Sequence, residues 1–444
     1  MSRKLHLNLF IMSTGHHEAA WRLPESDPLA NIDINHYVRL ARIAEAAKLD
    51  SIFFADVPAM GMDPRYRPAG TLDPLALLAA LAMTTDRIGL IATASSTYKE
   101  PYDLARAFAS VDTISGGRAG WNIVTTATRG AAQNFGRDEI VTHGERYSRA
   151  DEFLDVVTKL WDSWEDDARL GDKKAGIFAD ATKIRPIDHQ GEHFKVKGPL
   201  NVPRTPQGYP VLVQAGSSPS GRTFAGRWAE AVFTAQRTLE EGQEFYSELK
   251  ARAVAAGRRE QDIVILPGVV PFLGSTESEA KARHTEFTEQ IIPAYGLSQL
   301  SEFFGVDLTR AELDKPLPEV PVEDDIEGHK SRSTLIANLA REENLTVRQL
   351  LGKLGGGRGH REFTGTPEQL ADDLQRWSES GAADGFNVMP PALPADLETF
   401  VEHVVPILRS RGLFREEYEG TTLREHYGLK RPTNRLADLA LVAA

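Results

Sequence analysis

The chain contains no cysteine in 444 residues, which excludes disulfides, thiolate metal sites and cysteine nucleophiles together. No run approaches the roughly 18 consecutive apolar residues of a membrane helix. A secretory leader is also missing, because MSRKLHLNLF passes directly into a strand-like run, so a cytoplasmic protein is expected. Lys and Arg total 51 against 63 Asp and Glu, a net charge of -12. Without a basic excess there is no electrostatic footprint for a nucleic-acid backbone, and neither nucleic acid nor membrane is expected as a partner. The negative charge is spread along the chain and builds no acidic tail.

What is present is a repeating alternation. Apolar runs of strand length are each followed by apolar residues at helical spacing: 5–11 then 35–47, 51–55 then 74–83, 88–94 then 102–114, 120–125 then 144–164. The pattern resumes with 211–215 and 222–229, 231–235 and 240–256, 263–272 and 277–292, 385–389 and 397–410. Eight strand-then-helix units without hairpin signals predict a parallel sheet closed into a TIM (β/α)8 barrel, with the whole of 1–444 as one decorated barrel domain. Two stretches interrupt the rhythm. Residues 165–209 read as a hairpin-like insertion around Gly198-Pro199. Residues 294–365 carry PLPEVPVEDD and GKLGGGRGH and read as a partly helical lid. Residues 411–444 form a C-terminal extension expected to wrap the barrel or make a subunit contact.

In such a barrel the active site lies at the C-terminal strand ends. The residues there are Ser13, Thr14, His16 and His17 after strand 1 and Asp56 after strand 2. Strand 3 ends in Thr93, Ser95, Ser96 and Thr97, strand 4 in Thr125, Thr126 and Asn134, and strand 5 in Gly216, Ser217 and Ser218. This cup of hydroxyls with few charges suits a polar, phosphate-bearing ligand better than a metal. The stretch Arg118 to Tyr147 stands out within it. Thr142 and Glu145 have the spacing of a capping box, which puts His143 first in a helix and Tyr147 one turn on, beside the unsatisfied N–H groups that hold anions. Ser218-Pro219 is a second helix start, although capping alone would explain it. Other chemistries lack their parts: adjacent His16-His17 with Asp56 is an incomplete metal set, so no metal is expected. G-x-S-x-G is absent around Ser217, and a glycosidase would need a second strand-end carboxylate.

Several segments together resemble a known family: HHEAAWRLP, FFAD, IGLIATASSTYKEPYDLARAFASVDTISGGRAGWNIVTT, NFG, HGERY, GPLNVPRTPQGYPVLVQAGSSPSGRTFA, GTPEQLADDL and DGFNVMP. They look like the flavin-dependent monooxygenases of the nitrilotriacetate, dibenzothiophene-sulfone and long-chain-alkane group, within the bacterial luciferase-like superfamily. The resemblance runs to about Arg411. It implies a barrel with inserted segments, FMN at the C-terminal face, a homodimer or homotetramer, and a separate NAD(P)H:flavin reductase that supplies the reduced flavin. It further implies that reduced FMN and O2 form a C4a-hydroperoxyflavin that oxygenates a small organic substrate. By the same resemblance Asp56 and Thr93 face the flavin, His143 and Tyr147 contact its ribityl-phosphate end, and Ser218 with Ser217 binds the phosphate. His16 would assist proton transfer. The phosphate site would then lie at strands 4 and 5, not after strands 7 and 8 as in many barrels. A deazaflavin-dependent hydride-transfer oxidoreductase and a non-catalytic flavin-binding protein are the alternatives. The substrate is not identified: Phe10, Trp21, Tyr98 and the lid would line an apolar pocket, and the lack of an obvious Arg or Lys cluster speaks against a polyanion.

Overall fold

A computed structural model describes residues 4–60, 63–321, 330–357 and 359–437. The eight expected strands form in sequence order: β1 (His6–Ile11), β2 (Ser51–Phe54), β3 (Gly89–Ser95), β4 (Ala119–Val124), β5 (Val211–Gln214), β6 (Ala231–Thr234), β7 (Val264–Leu273) and β8 (Gly385–Val388). Each is parallel to its neighbours, β1 pairs with both β2 and β8, and the β6–β7 pairing closes the barrel. Strands that are buried on both faces must be apolar on both. Accordingly, one cluster packs strands against the outer helices through Leu7, Leu9, Ile52, Leu90 and Trp121. A second fills the interior with Phe10, Phe53, Ile91, Val213, Phe233 and Leu266.

The extension after Arg411 closes the N-terminal mouth from below. Leu423 is fully buried in the interior cluster. A Cβ added at Gly89 would lie 2.4 Å from its side chain and one at Gly120 would lie 3.1 Å away, so these strand glycines make room for the plug. Tyr427 donates to Asn8 Oδ1 (2.9 Å) and shares a hydrogen bond with Ser51 Oγ (3.2 Å). Arg424, 1% exposed, pairs with Glu230 and donates to the carbonyl oxygens of Gln207 and Tyr209. Residues 411–437 thus make a structural floor within their own chain.

The insertions differ in detail from the sequence expectation. Residues 165–209 hold two small antiparallel hairpins, Arg169–Asp172 with Ile177–Ala179 and His189–Gln190 with Lys195–Val196. Neither turns at Gly198-Pro199, which follows the second hairpin: Lys195–Val196 is that hairpin's second strand, Lys197 O still accepts from the Ile187 and Asp188 N–H groups, and Leu200 just beyond is buried in the core. The second insertion is helical over Pro293–Phe304, Lys330–Glu342 and Val347–Gly357 and has an apolar core of its own, including Leu300, Phe304, Ile336 and Leu350. It returns to the sheet earlier than residue 365: Arg361–Gly365 pairs parallel with β7 outside the closed barrel. The acidic run PLPEVPVEDD lies outside the described residues from position 322 on, as does Arg358 of the glycine cluster.

Candidate active site

The C-terminal mouth carries two distinct groups of polar side chains. The first is held by β4, β5 and the helices that follow them. The helix His143–Trp161 starts at Thr142, whose hydroxyl accepts from the Glu145 N–H at 3.4 Å. Only this half of the capping box forms. The helix Pro219–Trp228 starts at Ser218, which accepts from the Gly221 N–H at 3.1 Å, with proline in the first turn. His143 and Tyr147 pack with ring centroids 4.9 Å apart. Tyr147 then reaches across to the second helix: a Cβ built on Gly221 would lie 3.1 Å from both its hydroxyl and Ser218 Oγ, and one on Gly216 would lie 3.3 Å from the hydroxyl. The fold therefore brings His143, Tyr147, Gly216, Ser218 and Gly221 to one helix N-terminus, where glycine keeps space open and N–H groups point outward. Ser217 is adjacent, and its carbonyl accepts from Arg222 Nε (2.8 Å).

Strand residues that carried no signal by position complete this wall. Asn122 Nδ2 donates to Thr93 Oγ1 at 2.8 Å, while Asn122 Oδ1 is buried with no hydrogen-bond partner among the described residues. Gln214 Oε1 is likewise buried and without a partner, and its amide nitrogen would be 2.3 Å from a Cβ at Gly216. Such buried acceptors are costly unless a ligand donor satisfies them. The sequence signal that could have found them is an amide in the middle of an apolar strand, NIVTT and VLVQA. Asp56 stands apart on the half-buried loop after β2. Burial, aided by repulsion from Asp73, holds its carboxyl above the ordinary range. Asn134 donates to the Pro58 carbonyl and ties the β4 loop to the β2 loop.

The second group surrounds His16. Gly15 has φ +148°, and a Cβ there would lie 2.2 Å from the Pro391 carbonyl oxygen. Only glycine lets the β1 loop pack this closely on the β8 loop, where His16 N–H donates to Pro390 O (2.9 Å). The imidazole, on a residue 2% exposed, packs against Phe10 at 5.5 Å. His360 arrives from the end of the helical insertion, stacks flat on Phe233 at 4.8 Å and stands 6.2 Å from His16. Phe10, Phe53 and Phe233 are mutually edge-on at 5.0 to 5.7 Å. Two imidazoles thus meet over an aromatic floor. The sequence reading missed His360, because nothing in GGGRGH shows that the insertion returns over the barrel. The insertion is anchored by the Glu18 N–H to Gly355 O bond (2.9 Å) and by Gly356, where a Cβ would come within 3.2 Å of His17. Of the other expected wall residues, Tyr98 stacks on Phe135 at 4.9 Å, between the β3 and β4 loops.

The chain that builds this barrel, with its anion-ready helix start and aromatic floor, matches the family model described as luciferase-like monooxygenase over residues 9–384. The chain belongs to the luciferase-like monooxygenase family. This monooxygenase is 50% identical to nitrilotriacetate monooxygenase component A of Aminobacter aminovorans, over 98% of this chain and 99% of that one. It is 47% identical to N-acetyl-S-(2-succino)cysteine monooxygenase of Bacillus subtilis (strain 168), again over 98% and 99%. Among solved structures, the EDTA monooxygenase from Chelativorans sp. BNC1 is 39% identical, covers 97% of this chain and 99% of its own, and superposes with a TM-score of 0.78. Its homologues are flavin-dependent, and this enzyme is a flavin-dependent monooxygenase of the luciferase-like type.

Proposed function

We propose that this monooxygenase takes reduced FMN from a separate NAD(P)H:flavin reductase and uses O2 to oxygenate a small organic substrate. The observation that carries the FMN assignment is the cradle formed by Ser218, Gly221 and the Tyr147 hydroxyl at the start of the helix Pro219–Trp228. A phosphate there meets outward N–H groups, the positive end of a helix and two hydroxyls. Ser217 and His143 flank the phosphate end, and Asn122 and Gln214 accept from ribityl or ring donors. Thr93 and Asp56 border the ring. Bound reduced flavin supplies two electrons to O2, so that one oxygen atom enters the substrate and the other leaves as water.

The chain's own contribution is positioning, dryness and a proton. Phe10, Phe53 and Phe233 keep water from the reacting face. His16 holds or donates a proton at an imidazole nitrogen, with His360 completing the pair from the insertion. The insertion acts as a lid whose anchored end places His360 over the floor. For the substrate, a compact carboxylate is the best reading. The relatives bear the names of nitrilotriacetate, EDTA and N-acetyl-S-(2-succino)cysteine. The Arg67 guanidinium, bonded to the Tyr295 hydroxyl of the lid at 3.3 Å, has no carboxylate within 4 Å among the described residues. This departs from the sequence expectation against a polyanion, which counted only residues at the strand ends. The enzyme acts in the cytoplasm as a homodimer or homotetramer.

Anaerobic titration with reduced FMN tests the phosphate assignment. Ser218→Ala and Tyr147→Phe should each raise the Kd by roughly tenfold, as the loss of one hydrogen bond to a charged group implies. Unchanged affinity in both variants would refute it. Substrate-dependent O2 uptake with a reductase, screened across carboxylates, sulfones and alkanes, tests the reaction.

A further inference from the structure

One helix reaches toward both imidazoles of the mouth through neighbouring residues. The helix Glu277–Glu289 follows β7, and at about 3.6 residues per turn Arg283 and His284 leave it about 100° apart. Arg283 faces the loops after β1 and β8. Its guanidinium donates to Glu25 Oε1 (2.7 Å) and Asp396 Oδ1 (3.4 Å) and lies 4.7 Å from the ring centre of Phe287, which packs on His17 at 4.9 Å. Asp396 in turn accepts the Ala392 N–H at 2.8 Å. Ala392 belongs to the stretch whose Pro390 and Pro391 carbonyls accept the His16 and His17 N–H groups, while the Leu393 N–H donates to Thr14 O (2.7 Å). Arg283 thus reaches the backbone of His16 through one carboxylate and one loop.

His284 serves the other imidazole. It packs on Phe272 at 4.4 Å, and its Nε2 lies 3.2 Å from Glu362 Oε2. The other oxygen of that carboxylate accepts the Gly357 N–H (2.6 Å), and Gly357 O accepts the His360 N–H (2.7 Å). Gly268 of β7 clears the space that His360 occupies: a Cβ there would lie 2.6 Å from His360 Nδ1 and 3.0 Å from Phe233 Cε2. The Asp396 and Glu362 side chains are only 14% and 18% exposed. Ion pairs taken this far out of water add little net stability, so their placement between one helix and two mouth loops serves geometry.

We propose that Arg283 and His284 are positioning residues that hold His16 and His360, respectively, at their 6.2 Å separation over the aromatic floor. The inference rests on the proton role given to that pair. Each residue acts through a carboxylate and a backbone amide: Arg283 through Asp396 and the β8 loop, His284 through Glu362 and Gly357. Reacting groups must be held to within about 0.5 Å, and a displacement of about 1 Å costs roughly a hundredfold in rate. A single helix that sets both imidazoles fixes their spacing more tightly than two independent loops would.

Exchange of the imidazole C2 hydrogens in D2O, read histidine by histidine by mass spectrometry on the flavin-free full chain, tests the positioning. Arg283→Met should speed exchange at His16 by roughly tenfold and leave His360 within about twofold of wild type; His284→Asn should do the reverse. Arg283→Lys should restore most of the wild-type rate at His16. Exposed His403 and thermal melting serve as folding controls. Hydrogen peroxide release from reduced FMN and O2 without substrate gives the functional readout: two electrons and two protons pass from the flavin to O2. A loosened His16 that admits water should raise this rate about tenfold in Arg283→Met at unchanged FMN Kd. In a His16→Asn background the same substitution should add less than about twofold, because the two share one path. Equal exchange changes at both histidines, no change at either, or full additivity with His16→Asn would overturn the proposal. A wild-type peroxide rate in His16→Asn alone would instead refute the proton role of His16, and the exchange rates would then decide the positioning by themselves.

Discussion

Gly221→Ala separates folding from cofactor binding, because binding should fall far more than stability changes. Gly221 lies in the first turn of the helix Pro219–Trp228, and its N–H donates to Ser218 Oγ. Alanine there relieves the entropic cost of glycine in a helix and gains up to about 0.5 kcal/mol of stability. The new Cβ would sit 3.1 Å from Ser218 Oγ and 3.1 Å from the Tyr147 hydroxyl. The Tyr147 side chain can yield by a few tenths of an ångström, but a third contact, 3.2 Å to the backbone carbonyl carbon of Gly216, cannot yield as readily and offsets the helix gain, so net stability should change little. The space the methyl group fills is the proposed phosphate cradle. A helix-end interaction together with one charge-assisted hydrogen bond is worth about 2 kcal/mol, or roughly 30-fold in Kd. Anaerobic titration of the variant with reduced FMN and with reduced riboflavin is the decisive pair of measurements. FMN affinity should fall roughly 30-fold while riboflavin affinity, which lacks the phosphate, changes little. Equal weakening of both flavins, or an unchanged FMN affinity, would refute the cradle.

Three further outcomes are expected. His16→Asn should leave the FMN Kd unchanged yet reduce product formed per O2 consumed by about a hundredfold, the usual contribution of a positioned proton donor, with hydrogen peroxide appearing instead. Product coupling equal to the wild type would remove His16 from the chemistry. Leu423→Ala should cost about 2–4 kcal/mol in denaturant unfolding, because a fully buried side chain that plugs the barrel floor leaves a cavity. FMN affinity should be retained, since the floor lies at the opposite end. Asp112 is fully buried, and burial pushes its carboxyl up to about 6, while Ala119 N–H (2.9 Å) and Gln207 Nε2 (2.7 Å) donate to Oδ1. Its folded pKa lies above the unfolded value, so the stability it contributes is present below about pH 4 and is lost as pH rises through 6. Asp112→Asn keeps the Oδ1 acceptor and removes the charge, and should therefore raise the melting temperature relative to wild type more at pH 8 than at pH 5. An equal effect at both pH values would show that the carboxyl is not strained by ionisation.

Legibility in the sequence followed the range of the interaction. All eight barrel strands could be read because each is bounded by its own helix and is apolar on both faces, a local pattern. The starts of the helices at Thr142 and Ser218 could be read because capping depends on residues within one turn. The turns of the first insertion could not: its hairpins lie at 169–179 and 189–196, whereas Gly198-Pro199 only resembled a turn. That the C-terminal extension wraps the barrel was one of two expectations, but its plug at Leu423 was hidden, because its partners Gly89 and Gly120 are more than 300 residues away in sequence.

By itself, then, the sequence determined the barrel, its order of strands and which hydroxyls crown them, since alternation and capping are short-range physics. The residue-level resemblance supplied the flavin and oxygen chemistry. The tertiary structure alone decided that the Tyr147 hydroxyl reaches the Ser218 helix, that Asn122 and Gln214 leave buried acceptors without a partner among the described residues, and that His360 returns to stand over Phe233 beside His16. Each of these depends on the closure of the barrel, which brings strand ends and insertions together across hundreds of residues and gives them a meeting point that no spacing along the chain encodes.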